Sequence, residues 1–208
     1  MARTKPSERA RDRVLSDDEL RAVWKAAEAQ GGHWGALLRF LLLTATRRNE
    51  SRGMRRAELA KNGDWLIPSG RSKTKRELLL PLSATAQDVL GMVPQIGKGE
   101  LVFTTDGLRP IGGLTKLKRN FDKACGVSGW TLHDLRRTAR TLMSRAGVAD
   151  EVAERCLGHV IGGVRGTYDR HKYYDEKKLA FEKLATLIEN IVNPKENVLP
   201  MKGKDRRS

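Results

Sequence analysis

Between His33 and Thr44 the chain carries Trp34, Leu37, Leu38, Leu41 and Leu42 at helical spacing, and Phe40, Leu41, Leu42 and Leu43 form an unbroken apolar run. A helix with so much apolar surface has to sit inside the core of a folded domain. Directly after it comes Thr44-Ala45-Thr46-Arg47-Arg48-Asn49-Glu50, so charged side chains emerge at the edge of that core. Residues 39 to 76 hold 11 basic and 3 acidic side chains, a local excess of +8 that is over half of the net +15. A single basic run is usually a solvated face. A block this lopsided inside a folded region favours phosphate contacts, and hence a nucleic-acid partner.

The 208 residues suit one large domain. With 39% hydrophobic and 31% charged residues, the chain is too apolar for disorder and too polar for a membrane span. Its apolar run is far short of the ~20 residues that cross a bilayer, and the charged start lacks the apolar stretch of a signal peptide. Cys125 and Cys156 form neither a disulfide framework nor a four-cysteine zinc site. A cytoplasmic protein without membrane contact is therefore expected. Composition divides it into a basic leader over residues 1–13, a folded domain over 14–192 and a polar basic tail over 193–208.

Ser16-Asp17-Asp18-Glu19 is a capping box that starts a helix running to about Gln30, and Gly31-Gly32 stops it. Further helices are expected over His33 to Thr44, Ala84 to Met92, Gly113 to Cys125, His133 to Ala146, Asp150 to Cys156 and Tyr174 to Ile191. Glu58 to Leu59, Trp65 to Pro68 and Glu77 to Leu82 read as short strands parted by Asn62-Gly63 and Ser69-Gly70. The fold class is mainly α with a small antiparallel three-stranded β-sheet, an α+β arrangement.

Four elements carry possible chemistry. A rigidly held arginine after the apolar helix, Arg47 or Arg48, can fork onto two oxygens of one phosphate, or can pair with Glu50 as structural glue. The turn Arg71-Ser72-Lys73-Thr74-Lys75-Arg76 presents two lysines, between which spacing does not choose. His133, Arg136, Arg137 and Arg140 fall at i, i+3, i+4 and i+7, a cationic stripe that invites an anion. Leu157-Gly158-His159 and the later Tyr168 read, each alone, as a helix end and a packed ring. No HExxH, CxxC pair, Walker or GxGxxG pattern occurs, so neither metal nor cofactor is expected.

Taken in chain order, these residues make the set Arg, Lys, His-x-x-Arg, His, Tyr, which resembles the catalytic domain of the tyrosine recombinase (phage integrase) family. TATRRNE resembles the first arginine box, T-G-x-R-x-x-E, with Ala45 where the family usually has Gly. WLIPSGRSKTKRELLLPLS is similar to the strand-turn-strand of prophage-type integrases, HDLRRTARTLMSRAG to the second box, and GTYDRHKYYDEKKLA to the nucleophile segment. The likeness runs from about Arg13 to Ile191.

The resemblance implies Arg47, Lys73, His133, Arg136 and His159 as catalytic residues, Tyr168 as nucleophile and Glu50 as support. Arg48, Arg71, Lys75, Arg76, Arg137 and Arg140 are then the candidates for contacts to double-stranded DNA. The implied activity is site-specific cleavage and rejoining of DNA through a 3′-phosphotyrosyl link, without metal or ATP. It also implies a tetramer on DNA, docked through the C-terminal helix, whose stripe is Leu179, Phe181, Leu184, Leu187, Ile188 and Ile191. Core packing is the more frequent use of such a stripe. Two alternatives stand beside this reading: strand relaxation in the manner of a type IB topoisomerase, and a truncated, non-catalytic DNA-binding remnant. The second is motivated by the short leader where the family has a clamp domain.

Overall fold

The computed structural model describes residues 12–159 and 173–194. The expected capping box opens α1 (Asp17–Gln30): the Ser16 hydroxyl accepts the Glu19 N–H at 3.2 Å and the Glu19 carboxylate accepts the Ser16 N–H at 2.9 Å. Leu20, Val23, Trp24 and Ala27 of α1 are buried against α2 (Gly32–Thr44), in which every residue from His33 to Thr44 is buried. The two helices touch so closely at Gly35 that a Cβ there would lie 2.0 Å from the Ala27 carbonyl oxygen. Each large apolar side chain taken out of water here contributes about 1.5–3 kcal/mol, which makes α2 the anchor of the fold.

A short helix that the apolar pattern did not announce, α3 (Arg48–Arg52), follows α2. The sheet has two strands, β1 (Asp64–Ile67) and β2 (Leu78–Pro81), antiparallel with Trp65 opposite Leu80. The third strand expected at Glu58 to Leu59 is corrected: Arg56–Glu58 is a 3-10 turn, and one bridge between Leu59 and Trp65 is all that remains of it. The Glu58 carboxylate explains why, since it is drawn onto the Arg55 N–H, the Trp65 indole and Arg71, which curls the segment.

Among the described residues the remaining helices are α4 (Ala84–Gly91), α5 (Leu114–Cys125), α6 (Leu132–Arg145), α7 (Asp150–Cys156) and α8 (Tyr174–Val192). α8 packs on α1, α2, α6, α7 and β2 of its own chain. Phe181, Leu184, Ile188 and Ile191 of its stripe are buried there, Leu187 is partly buried, and Leu179 remains 58% exposed. The start of α8 is pinned to the sheet, where Lys177 Nζ donates to the Leu79 carbonyl at 2.6 Å and the Tyr174 hydroxyl to Asp64 at 3.0 Å.

Candidate active site

The cationic elements meet in one cleft. A cavity of about 490 Å³ is lined by Arg47, Lys73, His133, Arg136 and His159, together with Arg137 and Arg140. It adjoins a larger groove of about 1100 Å³ that shares Arg47, Lys73 and His133 and continues along Arg48, Lys75, Lys118 and Arg119. Five of the six catalytic candidates, drawn from as far apart in sequence as Arg47 and His159, therefore share one wall system. Tyr168, the sixth, lies outside the described residues.

Local structure explains how each side chain arrives there. At the end of α2, Ala45 adopts a left-handed conformation (φ +51°), which turns its carbonyl toward α6. Arg136 Nη1 donates to that carbonyl at 2.5 Å. Two residues on, Arg47 caps α3, and the buried Glu50 carboxylate accepts from the Arg47 N–H at 3.0 Å and from Arg47 Nη1 at 3.1 Å. The same carboxylate accepts the Lys73 N–H at 3.3 Å, so one acid fixes both the arginine and the hairpin backbone that carries the lysine.

Arg71 is engaged inside the protein. Its guanidinium forks onto Glu58 and donates to the Glu50 carbonyl at 2.9 Å, which makes it a strut beneath the hairpin. Lys73, Lys75, Arg76 and Arg48 are exposed.

The stripe on α6 is not the bare row of like charges that its spacing suggested. Arg137 donates to Asp134 on the same helix at 2.6 Å, and Arg140 donates to Glu154 and Asp150 on α7, each at 2.9 Å. Arg136 is different. It is 5% exposed, and its hydrogen bonds among the described residues go to the carbonyls of Ala45 and Leu157 and to His159 Nε2, at 2.5, 2.9 and 3.0 Å, rather than to a carboxylate. Burial first, and then the charge of Arg47, pulls its guanidinium down to about 10, with the carboxylates of Glu50 and Glu154 opposing from a distance. It stays charged at neutral pH, so the depression measures the cost of holding a cation there.

His133 lies at the rim, its area exposed but the protein beneath the ring desolvating it. That desolvation, and then the charges of Arg137, Arg136 and Arg47, lower its affinity for a proton below the ordinary imidazole value, with Asp134 opposing them. His133 is thus a neutral ring at pH 7, able to accept a proton.

Sequence reasoning missed Glu58, Glu154, Lys118 and Arg119. A usable signal existed for the last two, because Thr115, Lys118, Arg119 and Asp122 stand at i, i+3, i+4 and i+7 on α5, whose apolar and polar faces are sharply separated. Lys118 itself is held by Asp122 at 2.5 Å and lies 3.6 Å over the Trp130 ring. Among the described residues no group of three or more His, Cys, Asp or Glu could hold a metal ion, and no helix is long and apolar enough to cross a membrane.

Comparison with known proteins gives a consistent result. Prophage integrase IntA of Escherichia coli (strain K12) is 30% identical over 156 residues, 73% of this chain, and prophage integrase IntZ of the same organism is 27% identical over 84% of it. The chain spans 38% and 44% of the length of these two relatives. Among solved structures, the lambda integrase catalytic core superimposes with a TM-score of 0.58 at 22% identity, covering 70% of this chain and 94% of that one. The integrase of mycobacterium phage Brujita gives 0.63 at 15% identity, covering 91% of this chain and 66% of that one. At such identities the structures speak for the fold alone. Residues 13–174 fit the model of the phage integrase family, from just before α1 through both arginine boxes to the first residue of α8; this chain belongs to that family.

Proposed function

We propose that residues 14–192 are the catalytic domain of a site-specific recombinase that cuts and rejoins double-stranded DNA through a tyrosine-phosphate link, with residues 1–13 as leader and 193–208 as tail. One observation carries this reading: Arg47, Arg136, His133, His159 and Lys73 converge on a single cleft, and the most buried of these cations has no carboxylate bonded to it. Such a place suits an anion with several oxygens. The lambda integrase relatives of like fold are described as a dimer bound to a core site and a tetramer bound to a Holliday junction, which supports DNA as that anion.

Attack on a phosphodiester concentrates negative charge on its non-bridging oxygens, so fixed donors around them lower the barrier. Arg47 and Arg136 take those oxygens, planar forks meeting a planar edge of the phosphate. His133, neutral, accepts the phenolic proton of Tyr168 as its oxygen bonds to phosphorus. The bond from phosphorus to the 5′ oxygen breaks, and Lys73 gives that oxygen a proton. A 5′ hydroxyl then reverses the step and releases the tyrosine, and because the phosphotyrosine keeps the energy of the broken bond, rejoining needs no nucleotide.

The other two tyrosines support Tyr168 as nucleophile. The Tyr173 hydroxyl is tied to Glu151 at 3.2 Å and that of Tyr174 to Asp64 at 3.0 Å. Asp64 also raises the Tyr174 phenol above its usual value, which makes it a poorer anion. Arg48, Lys75 and Arg76, exposed beside the cleft, are the first candidates for flanking phosphates. Arg137 and Arg140 join them only by sharing their carboxylates. Self-association through α8 would exchange its stripe between protomers, since Phe181, Leu184 and Ile188 are buried within their own chain.

The test is a nicked duplex carrying the recombination site, incubated with the protein and then denatured. The expected result is a covalent protein-DNA adduct that Tyr168→Phe abolishes and that Tyr173→Phe and Tyr174→Phe retain. An adduct surviving Tyr168→Phe would refute the assignment. Binding with no adduct from the parent would leave the DNA-binding remnant as the function, and relaxation of supercoils without a second site would favour the topoisomerase-like alternative.

A further inference from the structure

The end of α7 determines what lies over what at the rim of the cleft. Gly158 takes a left-handed conformation (φ +66°), its N–H donates to the Arg155 carbonyl at 3.1 Å, and the His159 N–H reaches back to the Glu154 carbonyl at 3.0 Å. This pair of bonds is the glycine cap in which the second residue past the helix folds over the third from its end. His159 is thereby laid on Glu154, and the side chains meet as the backbones do. Nδ1 of the imidazole contacts one Glu154 carboxylate oxygen, while the other oxygen accepts Arg140 Nε at 2.9 Å.

The opposite edge of the ring fixes the proton. Nε2 of His159 lies 3.0 Å from Arg136 Nη2, and a guanidinium can only donate. Nε2 is therefore the acceptor and the ring proton is on Nδ1, directed at Glu154. Burial pushes the Glu154 carboxyl up, but His159 and Arg140 outweigh it and hold it low, so the acid is ionised. Glu154 thus links Arg140, His159 and Arg136 in one chain of hydrogen bonds that ends in the cleft.

Resting on the recombinase reading, we propose that Glu154 is a positioning residue for His159: it fixes the plane and tautomer of the ring so that Nε2 faces the spot at which the Arg136 fork would hold a phosphate oxygen. To donate to such an oxygen, Nε2 takes a proton from water when the phosphate displaces the Arg136 contact. The imidazolium then lies between two anions, the phosphate and Glu154, and the carboxylate supplies the counter-charge that its Nδ1–H needs. An uncharged acceptor in place of Glu154 would orient the ring without that counter-charge.

Two measurements test this. In the adduct assay, Glu154→Ala is expected to slow cleavage about 10- to 100-fold, the range for losing a charged hydrogen bond, with Glu154→Gln between it and the parent. Combined with His159→Ala, Glu154→Ala should add little further loss, because a residue acting through His159 has nothing left to position. Fully additive losses overturn the proposal. Independently of any activity, ¹⁵N spectra of histidine-labelled protein, assigned with His159→Gln, should show His159 protonated on Nδ1 and losing that single form in Glu154→Ala. A His159 spectrum that Glu154→Ala leaves unchanged overturns the proposal whatever the adduct assay gives. A parent that makes no adduct refutes the recombinase reading, and the spectra then decide by themselves whether Glu154 holds the ring.

Discussion

Replacing Arg136 by Met is expected to cost the fold no more than about 3 kcal/mol while abolishing cleavage. Two opposing quantities set this outcome. The guanidinium is held at about 10 against an ordinary 12.5, and at about 1.36 kcal/mol per unit this is a cost of about 3 kcal/mol that the folded chain bears for keeping the charge in place. Met, similar in length and apolar, removes that cost and fills most of the space. Against it, the carbonyls of Ala45 and Leu157 lose their donors, at about 1–3 kcal/mol each when no other donor replaces them. The two terms leave between a gain of about 1 and a loss of about 3 kcal/mol, at most the lower end of the ~3–5 kcal/mol typical of breaking a buried ion pair. Urea unfolding at neutral pH, with equal slopes for the two proteins, measures it. Sulfate supplies the second arm: an anion that settles on Arg136 relieves the parent's cost, so added sulfate should raise the parent's melting temperature more than the variant's. A loss above about 4 kcal/mol, or equal responses to sulfate, would refute the reasoning that Arg136 is a buried cation with no carboxylate bonded to it, awaiting an anion.

Gly158→Ala should cost about 1–2 kcal/mol in urea unfolding, since Gly158 is left-handed and an added Cβ would lie 2.6 Å from Leu78 Cδ2; an unchanged midpoint would show that the cap is not needed. Glu50→Ala removes the acid that holds Arg47 and the Lys73 N–H, and is expected to cost about 2 kcal/mol, discounted from the fully buried case because Arg47 is partly exposed, together with a large fall in adduct yield. His133 gives a pH test. Its proton affinity is lower in the folded chain, so on acidification from about 6.5 the unfolded chain takes the proton first and stability from this group is lost, while the cleavage rate should show an acid limb with a midpoint below 6.5 that His133→Gln removes. Arg71→Lys should lower cleavage by loosening the hairpin yet leave the salt dependence of DNA binding unchanged; a slope reduced by about 0.9 would instead make Arg71 a phosphate contact.

What spacing could convey, it conveyed well. The apolar face of α2, the capping box of α1 and the glycine stops appear where local pattern put them, because each depends on residues within one turn of one another. The failures share a different cause. Asp150 and Glu154 neutralise Arg140 from another helix, and no count along α6 foretells them. Glu58 spends its carboxylate on Arg71, thirteen residues on, so neither the lost third strand nor the inward use of Arg71 was legible locally. α3 was missed because its five residues, Arg-Asn-Glu-Ser-Arg, carry no apolar period, and its start is set by the reach of Glu50 back to Arg47.

The distribution of cost over the molecule argues for the site more strongly than the net charge does. Arg13, Arg21 and Arg145 away from the cleft, and Arg47, Arg137 and Arg140 in its wall, each have an acid within reach. Arg136 departs from this pattern. Arg136 is buried beside the like charge of Arg47, and the carbonyl that helps hold it belongs to Ala45, a non-glycine residue kept left-handed at a cost of about 1–2 kcal/mol. His133 is likewise pressed by three neighbouring cations. On the recombinase reading, a fold of marginal stability that places backbone strain, a buried cation with no carboxylate bonded to it and like-charge repulsion within one cleft keeps them for the state in which they are relieved. A phosphate between Arg47 and Arg136 relieves the two electrostatic costs at once, and relieves them further as charge gathers on its oxygens, which is the condition for accelerating a reaction rather than for merely binding.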